Sequence, residues 1–479
     1  MSLTACGTTV DLAPGALPPS GTTGGDGLGP PVGVVTTGPD ATSPPSATQV
    51  PTEGSRPVPS DSITPTGITP VGTSVNRNPI KIGVVYVNND SGASSAGIDN
   101  GNSFTPRRVY EALVAAHNKR GGVAGRRIQP VYVELKSSST NLKADIEAAC
   151  TRFTQDEHVA AVLGGTGIYS EALSDCLTKA HTPQLSGDFG LGDEDSLRRA
   201  PYLVPVTTLT EDARVRLMLE RLTSAGRLTA KDQLGIVIEG CPFDQRAYAR
   251  TVAPTARRLG LTIAQTVQSQ CFEDIRDLGG QAASMQSAVL SFQTNRITKV
   301  LFVSGSVEAN LLLYFALAAE AQGYHPGYAL TSAAAPAVQE ANTPKAQLAN
   351  AVGLGWLPST DSNLIRTPLP AARACLQDLR SQGVTPQGAV DRAYAYGACD
   401  VINLYDAALR VTRGDPGGSD VVGAIAAAGT GFVGASSYGE RTDFHAGRRT
   451  GPAQGRFFAW SLACGCFDYT GSPMSLTDR

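Results

Sequence analysis

The sequence lacks the marks of several functional classes. No apolar run reaches the ~20 residues that cross a bilayer, so no membrane-spanning helix is expected. Neither sign of charge dominates: 39 basic and 42 acidic side chains leave a net charge of -3. A chain so balanced offers no basic face to neutralise phosphates, which excludes nucleic acid as the expected partner. The five histidines (His117, His158, His181, His325, His445) are scattered, and no pair of cysteines has Cys-x-x-Cys spacing. A zinc site is therefore not expected. G-x-S-x-G, P-loop and H-E-x-x-H patterns are missing. "GGTG" at Gly164–Gly167 lacks the third glycine of a dinucleotide fingerprint and reads as a strand-end turn. The acidic run Asp193, Glu194, Asp195 has no further ligands spaced around it and reads as a solvated loop. The chain is accordingly read as a non-enzyme with no cofactor, no metal and no catalytic residues.

What is present begins with an unusual N-terminal segment. "LTAC" (Leu3, Thr4, Ala5, Cys6) looks like the end of a bacterial lipoprotein signal, in which a small residue precedes a cysteine whose thiol is lipidated. The basic and apolar regions of such a signal do not precede it, so the chain is read as starting near the cleavage site. From Gly7 to Val75 the composition is mostly Gly, Pro, Ser and Thr, with Arg56 the only basic residue. Such a segment cannot bury enough surface to offset its ordering entropy, and residues 1–75 are expected to be a lipobox remnant followed by a disordered linker. Semi-extended Pro-rich chain spans roughly 3 Å per residue, so the tether would reach on the order of 100–200 Å. That would hold a globular domain away from a membrane to which Cys6 is anchored.

Nine cysteines are present, and setting Cys6 aside leaves an even number at separated positions, which favours disulfides in an oxidising compartment. Cys150 and Cys176 fall on the inward stripes of successive helices flanking one strand, and Cys241 and Cys271 each follow a strand. These spacings predict Cys150–Cys176 and Cys241–Cys271, then Cys375–Cys399. Cys464 and Cys466 are left over, and their state stays open.

From Ile80 onward the 479-residue chain turns periodic, with length for two or three domains. "IKIGVVYV" (Ile80–Val87) is a continuous apolar run, as in a strand buried on both faces of a parallel sheet. "NNDSG" (Asn88–Gly92) is a polar turn, and Val109, Ala112, Leu113 and Ala116 then mark a helix face, with Pro106 in its first turn. "NKRGGVAGRRIQPVYVEL" (Asn118–Leu135) ends that helix on glycines able to take left-handed backbone, turns again at Gly125 and enters a strand. The alternation continues through "VAAVLGG" (Val159–Gly165), "TPQLSGD" (Thr182–Asp188) and "YLVPVTT" (Tyr202–Thr208). A second series follows with "QLGIVIEG" (Gln233–Gly240), "TKVLFVSG" (Thr298–Gly305), "YALTSA" (Tyr328–Ala333), "AVGLGWLP" (Ala351–Pro358) and a long helix through "AYAYGACDVINLYDAALRVTRG". Alternating strand and helix predicts an α/β fold of two doubly wound lobes with a cleft at the carboxyl ends of the strands.

In this order of elements the chain resembles the type 1 periplasmic solute-binding proteins of ABC importers, especially the leucine/isoleucine/valine-binding branch. The resemblance runs from about Ile80 to Tyr469. Its most specific part is an "N-x-x-G-G-[IV]-x-G-[RK]-x-[IL]" turn, which Asn118–Ile128 fits; "VAAVLGG", the Tyr-rich late helix and "GPAQGRF" (Gly451–Phe457) fit as well. The resemblance implies two lobes joined by three crossovers: lobe one at 79–206 plus 357–433, lobe two at 207–356 plus 434–470. It implies an extracytoplasmic lipoprotein, anchored through Cys6, that closes on a small polar solute (amino acid, amide or carboxylate-like) as a monomer and presents it to an ABC permease.

The site residues follow by position. The loop after "VAAVLGG" supplies Thr166, Gly167, Tyr169 and Ser170, where free N–H groups at a helix start suit a carboxylate. The loop after the fourth strand supplies Ser186, Gly187 and Asp188. Phe243 stands in lobe two where a tyrosine is common, and Ser91, Ser306, Glu308 and Ser332 complete the set. The loop Thr331-Ser332-Ala333-Ala334 lacks the acid that amino-acid binders set against an ammonium group. Either Asp188 or Glu308 supplies that charge, or the ligand lacks an amine. The alternatives are a ligand-sensing or protein-interaction ectodomain and, more weakly, an α/β enzyme, since fold does not decide function.

Overall fold

The computed structural model describes residues 78–88, 105–364, 368–412 and 417–477. Cys6, the linker and Ser91 lie outside the described residues. Among the described residues no helix is long and apolar enough to cross a membrane.

The first lobe is built on β1 (Ile80–Asn88), β2 (Ile128–Lys136), β3 (Val162–Gly164), β4 (Gln184–Ser186) and β5 (Leu203–Pro205). All pair in parallel, in the order β2-β1-β3-β4-β5. The apolar run of β1 is buried along nearly its whole length because helices cover both faces. The turn into β2 is held by one side chain. Gly121 and Gly122 take positive φ (102° and 82°), and Gly122 N–H closes on the His117 carbonyl at 2.8 Å. Asn118 then reaches across the turn: its Nδ2 donates to the Ile128 carbonyl at 3.0 Å and its Oδ1 accepts from Ile128 N–H at 2.7 Å. The asparagine thus fixes the first residue of β2 beside Ile80.

The second lobe carries β6 (Gln233–Ile238), β7 (Thr262–Gln268), β8 (Lys299–Val303), β9 (Gly327–Thr331) and β10 (Val352–Gly355), all parallel. An antiparallel hairpin, β11 (Gln454–Ser461) and β12 (Cys466–Ser475), extends this sheet at the β10 edge, giving the order β12-β11-β10-β9-β8-β6-β7. The hairpin is an addition to the doubly wound pattern. Its strands are only half-buried, and so carry a weaker apolar signal. Two helical stretches contain a π turn, at Arg152–Asp156 and Tyr248–Val252. The second ends two residues before Pro254, which has no N–H to continue the regular ladder.

The chain passes between the lobes three times. It leaves β5 through Val206–Thr210, returns after β10 through Trp356 and Leu357, and re-enters the second sheet at β11. Ala435 and Phe444 still pack in the first lobe's core, which carries that segment past the boundary read at 433. The crossings are tied together: Trp356 Nε1 donates to the Thr207 carbonyl at 3.2 Å, and Gly451 N–H to the Pro205 carbonyl at 3.0 Å. Asp361 accepts from Leu357 N–H (3.2 Å), Tyr469 (2.9 Å) and Tyr438 (3.4 Å), which joins the second crossing to the third and to β12.

Disulfides join Cys150 to Cys176, Cys241 to Cys271, Cys375 to Cys399 and Cys464 to Cys466. The first links the helices Leu142–Thr151 and Glu171–Lys179, and the last spans the tip of the β11–β12 hairpin.

Candidate functional site

The carboxyl ends of both sheets meet at the hinge side of the molecule, and their loops pack on one another. From lobe one come the segment after β3 (Gly165–Ser170) and the segment after β4 (Gly187–Asp193). From lobe two come the helix Pro242–Ala247 and the turn Ser304–Val307. Tyr169 and Phe243 pack edge to face with centroids 5.3 Å apart. Both sit in a small buried apolar cluster with Leu191, Leu197, Leu203 and Cys241. Ser306 Oγ donates to the Tyr169 carbonyl at 3.4 Å. A Cβ at Gly190 would overlap the Gly305 carbonyl, so only a glycine lets the two lobes approach this closely.

Charged groups close the same seam. Asp193 caps the helix Glu194–Arg199 and receives a two-pronged contact from Arg246 of lobe two, Nε to Oδ2 at 2.7 Å and Nη2 to Oδ1 at 2.9 Å. Burial acts to raise the Asp193 pKa, but the hydrogen bonds from Arg246 and Ser196 outweigh it and hold the carboxyl below the usual range. Arg250 pairs with Asp195 alongside. The acidic run read as a solvated loop is therefore an ion-pairing edge between the lobes. Its sequence neighbours gave no sign of this, because both arginines lie on a distant helix.

The residues expected to hold a solute fall into three sets. Thr166, Gly167, Ser186 and Asp188 form one network. The Asp188 carboxylate accepts from Thr166 N–H (3.0 Å, Oδ2), Gly167 N–H (2.9 Å, Oδ1) and Ser186 Oγ (3.1 Å, Oδ2). Burial pushes this carboxyl up, and the donors from Gly167, Thr166 and Ser186 pull against it. A Cβ at Gly165 would occupy the place of the carboxylate. Gly187 lies against the Gly397 carbonyl of the long helix Ala389–Val411. Tyr169, Phe243 and Ser306 form the second set, at the seam. Ser170, Glu308 and Ser332 have local duties. Ser170 caps the helix Glu171–Lys179 through Ala172 N–H, and Ser332 Oγ accepts from Trp356 N–H at 2.7 Å and Leu357 N–H at 3.2 Å. Glu308 accepts from Thr331 Oγ1 and lies 3.6 Å from Arg214.

Sequence reasoning missed a buried carboxyl cluster behind the lobe-two wall. Glu211, Glu239, Asp244, Glu308 and Arg214 are almost wholly buried; Glu308 lies 3.6 Å from Arg214, and Glu211 interacts with Arg214 and with the other three acids. Glu239 accepts from Phe272 N–H (2.9 Å) and Ser304 Oγ (2.6 Å), and Asp244 from Gly305 N–H (2.7 Å). Burial lifts Glu211 and Glu239 to about 7. Asp244 is also raised, first by burial and then by the charge of Glu211. One guanidinium cannot balance four carboxylates in a low dielectric, so this cluster holds protons at neutral pH. Glu239 closes "GIVIEG", and an acid ending an apolar strand was the available signal. Glu239, Cys241 and Cys271 have metal-like proximity, but both sulfurs are in a disulfide and offer no thiolate.

No family model matches the chain, and no curated protein matches it. Solved structures do. A leucine-complexed ABC transporter substrate-binding protein from Desulfitobacterium hafniense aligns at TM-score 0.56 and 14% identity, over 82% of this chain and 100% of that one. A solute-binding protein of an ABC transporter from Rhodopseudomonas palustris, in complex with p-hydroxybenzoic acid, aligns at TM-score 0.61 and 14% identity, over 84% and 98%. A leucine-binding protein from Thermotoga maritima aligns at TM-score 0.58 and 13% identity, over 83% and 99%. The chain has the fold of the type 1 periplasmic solute-binding proteins, two α/β lobes joined by three crossovers.

Proposed function

We propose that this chain is the extracytoplasmic solute-binding protein of an ABC importer, closing its lobes around a small polar solute and presenting it to a membrane permease. The observation that carries this reading is the meeting of strand-end loops from both sheets at a triply crossed hinge, with Tyr169 seated on Phe243 as the seam. The structural neighbours in complex with leucine and with p-hydroxybenzoic acid support it. Four disulfides favour an oxidising compartment outside the cytoplasm. We assign lobe one to 79–206 plus a segment that runs from 357 to at least Phe444, and lobe two to 207–356 plus the segment from there to 470. In this reading Cys6 carries the lipid anchor, residues 7–75 form the tether, and the protein acts as a monomer without turning its solute over. Thr166, Gly167, Tyr169 and Ser186 line lobe one's side of the site, and Phe243 and Ser306 lobe two's.

Native mass spectrometry of the purified protein tests the reading. A bound species of constant small mass, released on denaturation and recovered unchanged, is the expected result. Chemical conversion of that species would point to an enzyme. Protein with no bound solute and no response to a broad panel of amino acids, amides and carboxylates would favour a protein-interaction ectodomain.

A further inference from the structure

The loop after β3 presents two backbone N–H groups, those of Thr166 and Gly167, toward one point, and Ser186 Oγ adds a third donor from the end of β4. Converging N–H donors of this kind form an anion cradle. In this chain the cradle is filled from within. Asp188 places one carboxylate oxygen on Gly167 and the other on Thr166 and Ser186, using every donor of the cradle. The arrangement is built, because Gly165 leaves the space its Cβ would take from the carboxylate. Asp188 N–H also donates back to Ser186 Oγ at 3.1 Å, which fixes the approach of the side chain. The loop that carries the cradle is the one whose Tyr169 meets Phe243, so the filled cradle lies in the wall of the cleft.

We propose that Asp188 is the resident anion of this cradle and a specificity-determining residue: it bars solutes that would dock a carboxylate there and reserves the cleft for solutes presenting neutral or cationic groups at that end. The physical reason is competition at fixed stoichiometry. A tethered carboxylate is present at a high effective concentration, and an incoming anion must displace it and lie beside its charge. The proposal rests on the solute-binding reading for its meaning, but its test uses formate rather than the solute, so each can fail without the other.

The experiment compares wild type with Asp188→Ala and Asp188→Asn by thermal shift in formate, with chloride at equal ionic strength as control. Wild type is expected to be indifferent to formate. Asp188→Ala, with an empty cradle, is expected to melt lower and to recover saturably as formate fills the donors. Asp188→Asn keeps the side chain's shape and blocks the space, so formate is expected to leave it unmoved. If Asp188→Ala does not fold alone, its refolding yield with and without formate reads the same question. A variant that folds but ignores formate, or a wild type stabilised by formate as strongly as the variant, overturns the proposal. So does a refolding yield that formate does not raise.

Discussion

Replacing Arg246 by alanine should open the molecule without unfolding it. Arg246 is the guanidinium of lobe two that grips Asp193 of lobe one with two hydrogen bonds, at 2.7 and 2.9 Å. A hydrogen bond to a charged group contributes roughly 1.5–3 kcal/mol. Two facts reduce this here. The Arg246 side chain is 24% exposed, so solvent screens part of the interaction. Asp193 also keeps the Ser196 N–H and hydroxyl as donors after the arginine is removed. A net cost of about 1–2 kcal/mol remains, falling on the closed form, because the open form makes no such contact. The ratio of closed to open molecules should then drop about five- to thirtyfold. Small-angle X-ray scattering of solute-free protein measures this as a larger radius of gyration for Arg246→Ala. Arg246→Lys keeps the charge but not the planar fork, and should lie between. Because Asp193 has a depressed pKa, its contribution is present above the ordinary Asp value of about 3.9 and lost as pH falls through the folded value, so wild type should open in the same way in acid. Superimposable scattering from Arg246→Ala and wild type at neutral pH would refute the clamp.

Further outcomes follow from buried groups elsewhere. Burial raises Asp361 and Glu239 to about 7 and Asp400 to about 6. The folded chain therefore holds more protons than the unfolded one between about pH 4 and 7, and stability should fall as pH rises through that window. Tm should be higher at pH 5 than at pH 8, and Asp361→Asn should flatten the slope; a Tm that climbs with pH would contradict this. Gly83 faces Phe153, whose ring atoms lie 2.8 and 2.9 Å from where a Cβ would sit. Gly83→Ala should cost about 1–3 kcal/mol, seen as a lower denaturation midpoint with unchanged m-value. Cys150–Cys176 closes a loop of sequence separation 26, and Cys464–Cys466 one of 2. Chain entropy gives the first roughly 3–4 kcal/mol and the second roughly 1–2 kcal/mol, so Cys464→Ala/Cys466→Ala should lower Tm less than Cys150→Ala/Cys176→Ala.

The strands and helices around the two cores were legible because their signal is local. The continuous apolar run of β1, the 3.6-residue stripe of the next helix and the paired glycines after it each sit within a few residues. The cysteine pairs Cys150–Cys176 and Cys241–Cys271 were legible for the same reason, as each cysteine lies at a fixed offset from an element already read. The cleft wall was only half legible. Ser186 and Asp188 stand together in one loop in the sequence, but nothing near them shows that the Asp188 oxygens accept from N–H groups 21 and 22 residues away. Nothing periodic encodes that contact. Arg246 and Asp193 are 53 residues apart and on different lobes, so their pairing appears only once the hinge is folded. The four-carboxyl cluster is scattered from Glu211 to Glu308; Glu308 reads as a candidate solute contact and Glu239 as an acid ending an apolar strand, but nothing local ties either to Glu211 and Asp244.

Isothermal titration calorimetry with the solute recovered from the purified protein tests the central claim most directly. Saturable binding near one site per chain is expected, weakened by Phe243→Ala at the seam and accompanied by no turnover. Binding of the recovered solute that is unsaturable, or unchanged by Phe243→Ala in a folded protein, would place the solute outside the interlobe cleft.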